Sequence, residues 1–180
     1  MTMSYFCADL HIGHRNIAKY RNCVRDAQDN TDFVVDKLNE KLTKRDTLFM
    51  LGDIVFHSKL APVLDKIPGR KILVLGNHDC EYSKYDTRML SPFVDSILGF
   101  KKHHEFWLSH APIHPTELRG KINIHGHNHS PEERLDLLNY FNVNLDVILP
   151  LYDEIALSIE EIREINNGYR KIVDELDRVL

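Results

Sequence analysis

The chain has 180 residues, long enough for one domain with a sizeable core. Hydrophobic residues make up 43% and charged residues 28%, which excludes a disordered or fibrous class. A formal charge of −4 gives no global attraction to nucleic acid or anionic membranes, and no apolar run nears the ~20 residues that a membrane helix needs.

In chain order, Tyr5 to Ala8 is short and apolar and reads as a strand ending at Asp9. The start before it has neither a basic segment nor a long apolar stretch, so no signal peptide is expected. Thr31 to Leu42 carries Phe33, Val34, Leu38 and Leu42 at helical spacing. Thr47 to Leu51 is a continuous apolar run ended by Gly52-Asp53, and Pro62 to Ile67 reads as a helix closed by Pro68-Gly69. Lys71 to Leu75 is a buried strand ended by Gly76-Asn77. Glu105 to Leu108 is a fourth strand, ended by Ser109-His110, and Lys121 to His125 a fifth, ended by Gly126-His127. Further strands are expected at Tyr140 to Leu145 and near Tyr152 to Ala156. Ser158-Ile159-Glu160-Glu161 is a capping-box pattern that opens a helix running toward Leu180. Its stripe Ile162, Ile165, Tyr169, Ile172 and Leu176 is expected to face the core. With no linker, repeat or low-complexity stretch, residues 1–180 read as a single mixed α/β domain.

Eleven histidines are many for this length, and several sit beside Asp, Asn and Gly where strands end. Ligands bind beyond the carboxyl ends of strands in α/β sheets. If the five strands share one sheet and direction, their terminal clusters meet at one edge. They bring the carboxylates of Asp9 and Asp53, the amide oxygen of Asn77, and the imidazoles of His11, His110, His127 and His129. Mixed nitrogen and oxygen ligation suits Mn, Fe, Zn or Ni better than Mg or Ca. Seven ligands exceed one tetrahedral ion and suit two. Asp9 with His11, and His127 with His129, stand at i and i+2, which point the same way in an extended segment. Gly52, Gly76 and Gly126 are expected to let the backbone turn just before a ligand. Taken singly, most of these clusters are ordinary turns or a packed histidine; all five in order at strand ends are not.

The pattern resembles the calcineurin-like metallophosphoesterases: D-x-H, then G-D, then G-N-H-[DE], an isolated His, and G-H-x-H, every element present from Asp9 to His129. The segment Asp9 to Asn16 and the small size resemble a compact bacterial or phage-type branch. The resemblance implies a four-layer α/β (α+β) sandwich, two mixed sheets face to face with helices outside. It also implies two divalent ions, manganese first among the candidates. Asp9, His11, Asp53 and His129 would hold one, and Asp53, Asn77, His110 and His127 the other, with Asp53 bridging. Such a pair activates a bridging hydroxide for in-line attack on a phosphoester. His78 is then the general acid, with Asp79 expected to hold its ring. The implied activity is a phosphodiesterase acting on a nucleotide or small phosphodiester, a nucleic-acid end included. A phosphatase of the same fold and a metal-binding scaffold without catalysis are the alternatives. A metallo-β-lactamase-type hydrolase would need H-x-H-x-D-H early in the chain, and none is present.

Other polar residues divide between site and surface. His14, Arg15, His57 and His114 are candidates for substrate contact, with Asn16 and Arg119 near two of them. His103 and His104, beside Lys101 and Lys102, read as a solvated turn, and His125 as a packed strand residue. Cys7, Cys23 and Cys80 are odd in number and far apart, which suggests reduced thiols and a cytoplasmic setting. Monomer and homodimer are both compatible with the sequence.

Overall fold

The computed structural model describes residues 2–79, 87–130 and 135–179. Cys80, read above as a reduced thiol, lies outside them. β1 (Ser4–Cys7) leads through a 3-10 turn at Ile17–Lys19 to α1 (Ala27–Lys41). This helix begins four residues before the expected Thr31, because the Asp26 side chain accepts from the Gln28 and Asp29 N–H groups and caps it. β2 (Thr47–Leu51) follows, then a 3-10 helix at Ser58–Lys66, which begins four residues before the helix expected at Pro62. Pro62 sits inside it and has no N–H to donate. β3 (Arg70–Val74), β4 (Ser96–Leu98), β5 (Lys101–His103) and β6 (Phe106–Leu108) come next. A single helical turn, α2 (Pro115–Leu118), precedes β7 (Ile122–His125) and β8 (Tyr140–Asn142). α3 (Leu145–Tyr152), β9 (Leu157–Ser158) and α4 (Ile159–Val179) complete the order.

Two mixed sheets result. The first runs β4-β3-β2-β1-β9, parallel except for β9; the second runs β5-β6-β7-β8, parallel except for β5. The expectation of one shared sheet therefore fails, while the expectation of two sheets flanked by helices holds. Backbone hydrogen bonds from Ala8 N to Val143 O, 3.0 Å, and from Leu145 N to Ala8 O, 3.1 Å, join the segments after β1 and β8. One buried cluster draws on both sheets, including Phe6, Phe49, Phe106, Leu108, Ile124 and Phe141. Phe6 and Phe49 stack at 5.2 Å between ring centroids.

Several local expectations change. The strand expected at Tyr140 to Leu145 forms but ends at Asn142, and Leu145 opens a helix that Asn144 caps by accepting from Asp146 N. Short apolar runs do not separate the two states by periodicity. The strand expected near Tyr152 to Ala156 is displaced to Leu157–Ser158. At α4 the capping box forms, Ser158 N donating to Glu161 Oε2 and Glu161 N to Ser158 Oγ. Its stripe faces the core only at first: Ile162 is buried, Ile165 and Tyr169 half-buried, and Ile172 56% exposed. His103 is no solvated residue. It belongs to β5 and lies 4.6 Å from the Phe49 ring and 5.9 Å from that of Phe6. His125 is buried, as expected. Cys7 is buried and its thiol pushed up by burial, whereas Cys23 is exposed. No helix among the described residues is long and apolar enough to cross a membrane.

Candidate metal centre

The segments that leave β1, β2, β3, β6 and β7 at their carboxyl ends converge where the two sheets meet. Their backbone is unusual there. Asp9, His11, Asp53 and His127 have φ of 57°, 52°, 56° and 69°, the left-handed region that L-residues avoid without a compensating cause. The extended i, i+2 geometry expected for Asp9/His11 and His127/His129 is therefore absent. Of the three glycines expected to relieve a turn, only Gly52 has a positive φ, 87°. Gly76 and Gly126 have ordinary φ and are glycines for lack of room. A Cβ on Gly76 would meet Asp53, including its backbone N at 2.6 Å, and one on Gly126 would meet Ala8 Cβ and Asp9 Oδ2.

Two groups of ligand atoms lie within 4.8 Å of one another: Asp9, His11 and His129, and Asp9, Asp53 and His110. Asp9 stands in both groups, and Asp53 in the second. Each carboxylate spends one oxygen on a backbone N–H from another segment. Asp9 Oδ2 accepts from His127 N and Asp53 Oδ1 from His78 N, both at 2.9 Å. The other oxygens face imidazoles. Asp9 Oδ1 is 3.4 Å from His129 Nε2 and 3.7 Å from His11 Nε2; Asp53 Oδ2 is 3.4 Å from His110 Nε2. Asn77 Oδ1 completes the second group, 3.1 Å from both His110 Nε2 and His127 Nδ1. His127 and His129, two residues apart, thus point into different groups.

The outer contacts fix which nitrogen faces inward. His110 Nδ1 lies 2.8 Å from the Leu51 carbonyl, which can only accept, so Nδ1 carries the proton and Nε2 presents its lone pair to the site. His129 Nδ1 is 2.7 Å from Asp146 Oδ2, which turns its Nε2 inward in the same way. Asp146 is held by the buried Arg21, whose Nε donates to Oδ1 at 2.7 Å. The same guanidinium donates to the carbonyls of Asp9 and Leu10 and to Asn30 Oδ1. Sequence reading missed Arg21 and Asp146. The one available signal was a charged residue inside the apolar run Leu145 to Leu149.

Burial opposes the charge on Asp9, but the His11 and His129 imidazoles that face it and the His110 charge outweigh it, holding its carboxyl well below the usual range. Asp53 is lowered likewise, burial being overcome by His110 and the His78 N–H. Burial depresses the His129 imidazole, yet Asp146 and Asp9 prevail and raise it to about 9. Asp79 does not take the expected role beside the His78 ring. Its oxygens accept from the backbone N–H groups of Gly76, Asp53 and Ile54 at 2.8, 2.9 and 3.2 Å, tying the loops after β2 and β3 together. Burial lifts its carboxyl to about 6 against those bonds. His78 is half-buried at the rim, its Nε2 3.9 Å from Asp53 Oδ2 and its ring 5.0 Å from Phe56.

Beside the first group opens a cavity of about 680 Å³ that His11, His78 and His129 share with His14, Tyr20 and Phe56. Of the expected substrate contacts, His14 lines it; Arg15, His57 and His114 do not. His57 and His114 are exposed and cap short helices, accepting from Lys59 N and Thr116 N.

A family model described as calcineurin-like phosphoesterase matches residues 4–159. The chain belongs to this family. Gene 66 protein of Mycobacterium phage D29 is 30% identical, covering 91% of this chain and 99% of that protein. Gene 66 protein of Mycobacterium phage L5 is 30% identical over 73% of this chain and 79% of its own length. Among solved structures, the protein of unknown function AQ665 from Aquifex aeolicus superposes with a TM-score of 0.69 at 27% identity, covering 92% of this chain and 100% of that one. Metallophosphoesterases of this family bind divalent metals, and the residues here fit such ions. Among the described residues, the buried Asp9 Oδ1 and His11 Nε2 have no hydrogen-bond partner. Buried acceptors without a donor are costly, and a cation satisfies both.

Proposed function

We propose that this phosphoesterase-family chain is a binuclear metal-dependent phosphodiesterase acting on a nucleotide or small phosphodiester, with residues 1–180 as one catalytic domain. The observation that supports it is the convergence of lone pairs from Asp9, His11 and His129 on one side and Asp53, Asn77, His110 and His127 on the other. Such a donor set repels itself unless cations sit within it. We assign Asp53 as the shared ligand through Oδ2, since Oδ1 takes the His78 N–H. Manganese is our first choice of ion for this mixed donor set, with Fe, Zn or Ni as alternatives. When bound, two divalent ions neutralise charge on the phosphoryl oxygens and lower the pKa of a bound water.

The chain's own residues supply the rest. The strained left-handed ligands are set before substrate arrives, so little reorganisation accompanies reaction. His78 is assigned as general acid: its main chain is pinned to Asp53, its ring leans on Phe56, and it stands at the cavity rim. There it protonates the leaving oxygen. Its chemistry contributes most for poor leaving groups, roughly 10²–10⁴-fold.

A manganese-supplemented assay tests the reading with bis-p-nitrophenyl phosphate, p-nitrophenyl phosphate and 2′,3′-cyclic AMP as substrates. Diester turnover is expected to exceed monoester turnover. His78→Asn should retain two ions by elemental analysis and lose activity mainly on the cyclic nucleotide. Preference for the monoester would make the protein a phosphatase; a metal-loaded protein inert toward all three would make it a scaffold.

A further inference from the structure

The cavity beside the first ligand group has a wall that metal binding does not use. Tyr20 is 69% exposed, far more than an aromatic ring needs for packing. Its ring lies 6.3 Å from that of His14 at an interplanar angle of 29°. His14 lies 4.8 Å from Phe56, and Phe56 4.6 Å from His11 and 5.0 Å from His78. A continuous run of rings therefore leads from solvent at Tyr20 to the edge of the metal centre. Lys19, exposed and next to Tyr20, also lines the cavity.

The size and chemistry of this space select among phosphodiesters. About 680 Å³ is far more than a phosphate and small alkyl groups fill, and lies in the range of pockets that enclose a drug-sized ligand. Aromatic faces stack on planar bases of any sequence. An alkyl chain gains nothing from a ring's orientation, and it gains nothing from an ammonium beside it. Lys19 instead complements a further phosphate or a base carbonyl.

Resting on the phosphodiesterase reading above, we infer that the Tyr20–His14–Phe56 wall is a base-stacking subsite. It binds the nucleoside on one side of the scissile phosphate, with Tyr20 as its outer platform. The substrate class narrows accordingly to nucleoside-bearing diesters. Sequence preference among bases should be weak, because the contact is to ring faces rather than hydrogen-bonding edges.

Two arms test this. The first compares thymidine 5′-(4-nitrophenyl phosphate) with methyl 4-nitrophenyl phosphate in manganese. The two esters share a leaving group and differ only in carrying a nucleoside. The wild type should favour the thymidine ester in kcat/KM, and Tyr20→Ala should cut that ratio about tenfold, through KM, the scale of one lost base stack. Tyr20→Phe should preserve the ratio. The second arm needs no turnover: 2-aminopurine riboside 5′-monophosphate should lose fluorescence on binding wild type and Tyr20→Phe, and not Tyr20→Ala. Active wild type with a ratio that Tyr20→Ala leaves unmoved overturns the subsite while the phosphodiesterase reading stands. Preference for octyl 4-nitrophenyl phosphate over the thymidine ester overturns it in favour of a lipid-like substrate. Should no diester be hydrolysed, the phosphodiesterase reading fails, and absence of Tyr20-dependent quenching then sinks the subsite on its own.

Discussion

The two ligand groups lie side by side yet are braced by different means. The group of Asp53, Asn77, His110 and His127 is braced by backbone: His110 leans on the Leu51 carbonyl, Asp53 on the His78 N–H, and Asp79 gathers three further N–H groups. The group of Asp9, His11 and His129 is braced on its outer side by side chains, through His129, Asp146 and Arg21. A backbone brace is built into parallel strands and survives most substitutions. A side-chain brace hangs on two residues from distant parts of the chain, so a single change can loosen one metal position and spare the other.

The largest effect should come from the residue where that asymmetry vanishes. Asp53→Ala is expected to remove both ions; two bound ions by elemental analysis would refute its shared role. Next, Asp146→Asn should weaken the ion at His129 by about 10- to 100-fold, the usual consequence of losing a carboxylate behind a ligating imidazole. Isothermal titration should then show one weakened and one unaltered site. Equal weakening of both would erase the contrast between the braces. Asp79→Ala probes the other brace. It strands the N–H groups of Gly76, Asp53 and Ile54, at about 1–3 kcal/mol for each buried group left unsatisfied. A clear drop in melting temperature should accompany weaker metal binding, whereas Asp146→Asn should act on metal far more than on melting.

The smallest effect concerns two imidazoles that belong to neither group. Burial, with the charges of His104 and Lys101, lowers His103 from an ordinary 6.5 to about 4. Burial also lowers His125 to about 4. Both rings stay neutral in the folded chain, while the unfolded chain takes up protons first as pH falls below 6.5. Stability is thus present above that value and is lost as pH falls toward 4. Melting temperature should decline by a few degrees across this window, and His103→Leu should flatten the decline; an unchanged slope would remove His103 from the account.

Metal ions sharpen a further point about charge. His129 is raised to about 9 by Asp146 and Asp9 after burial is overcome. A metal must displace that proton, so loading at this position should strengthen as pH rises toward 9.

Much of this was legible in the residues themselves. Apolar runs that end abruptly in Gly-Asp, Gly-Asn-His-Asp and Gly-His-Asn-His set both the strands and the chemistry at their ends, because a short buried strand and a ligand cluster are each local in sequence. Strands of only three residues, Ser96–Leu98 and Lys101–His103, left no such trace. Nor did the helix at Leu145–Tyr152, whose type depends on the Asn144 cap and on docking rather than on its apolar run. Only the tertiary structure decided that the five clusters come from two sheets, that His127 and His129 part company, and that Asp79 serves the backbone instead of the His78 ring. The left-handed φ at His127 and the Arg21–Asp146 brace arise from contacts between segments more than a hundred residues apart. Residue type and spacing name the donors; the direction of each lone pair is set by what lies behind it, and that is a property of packing.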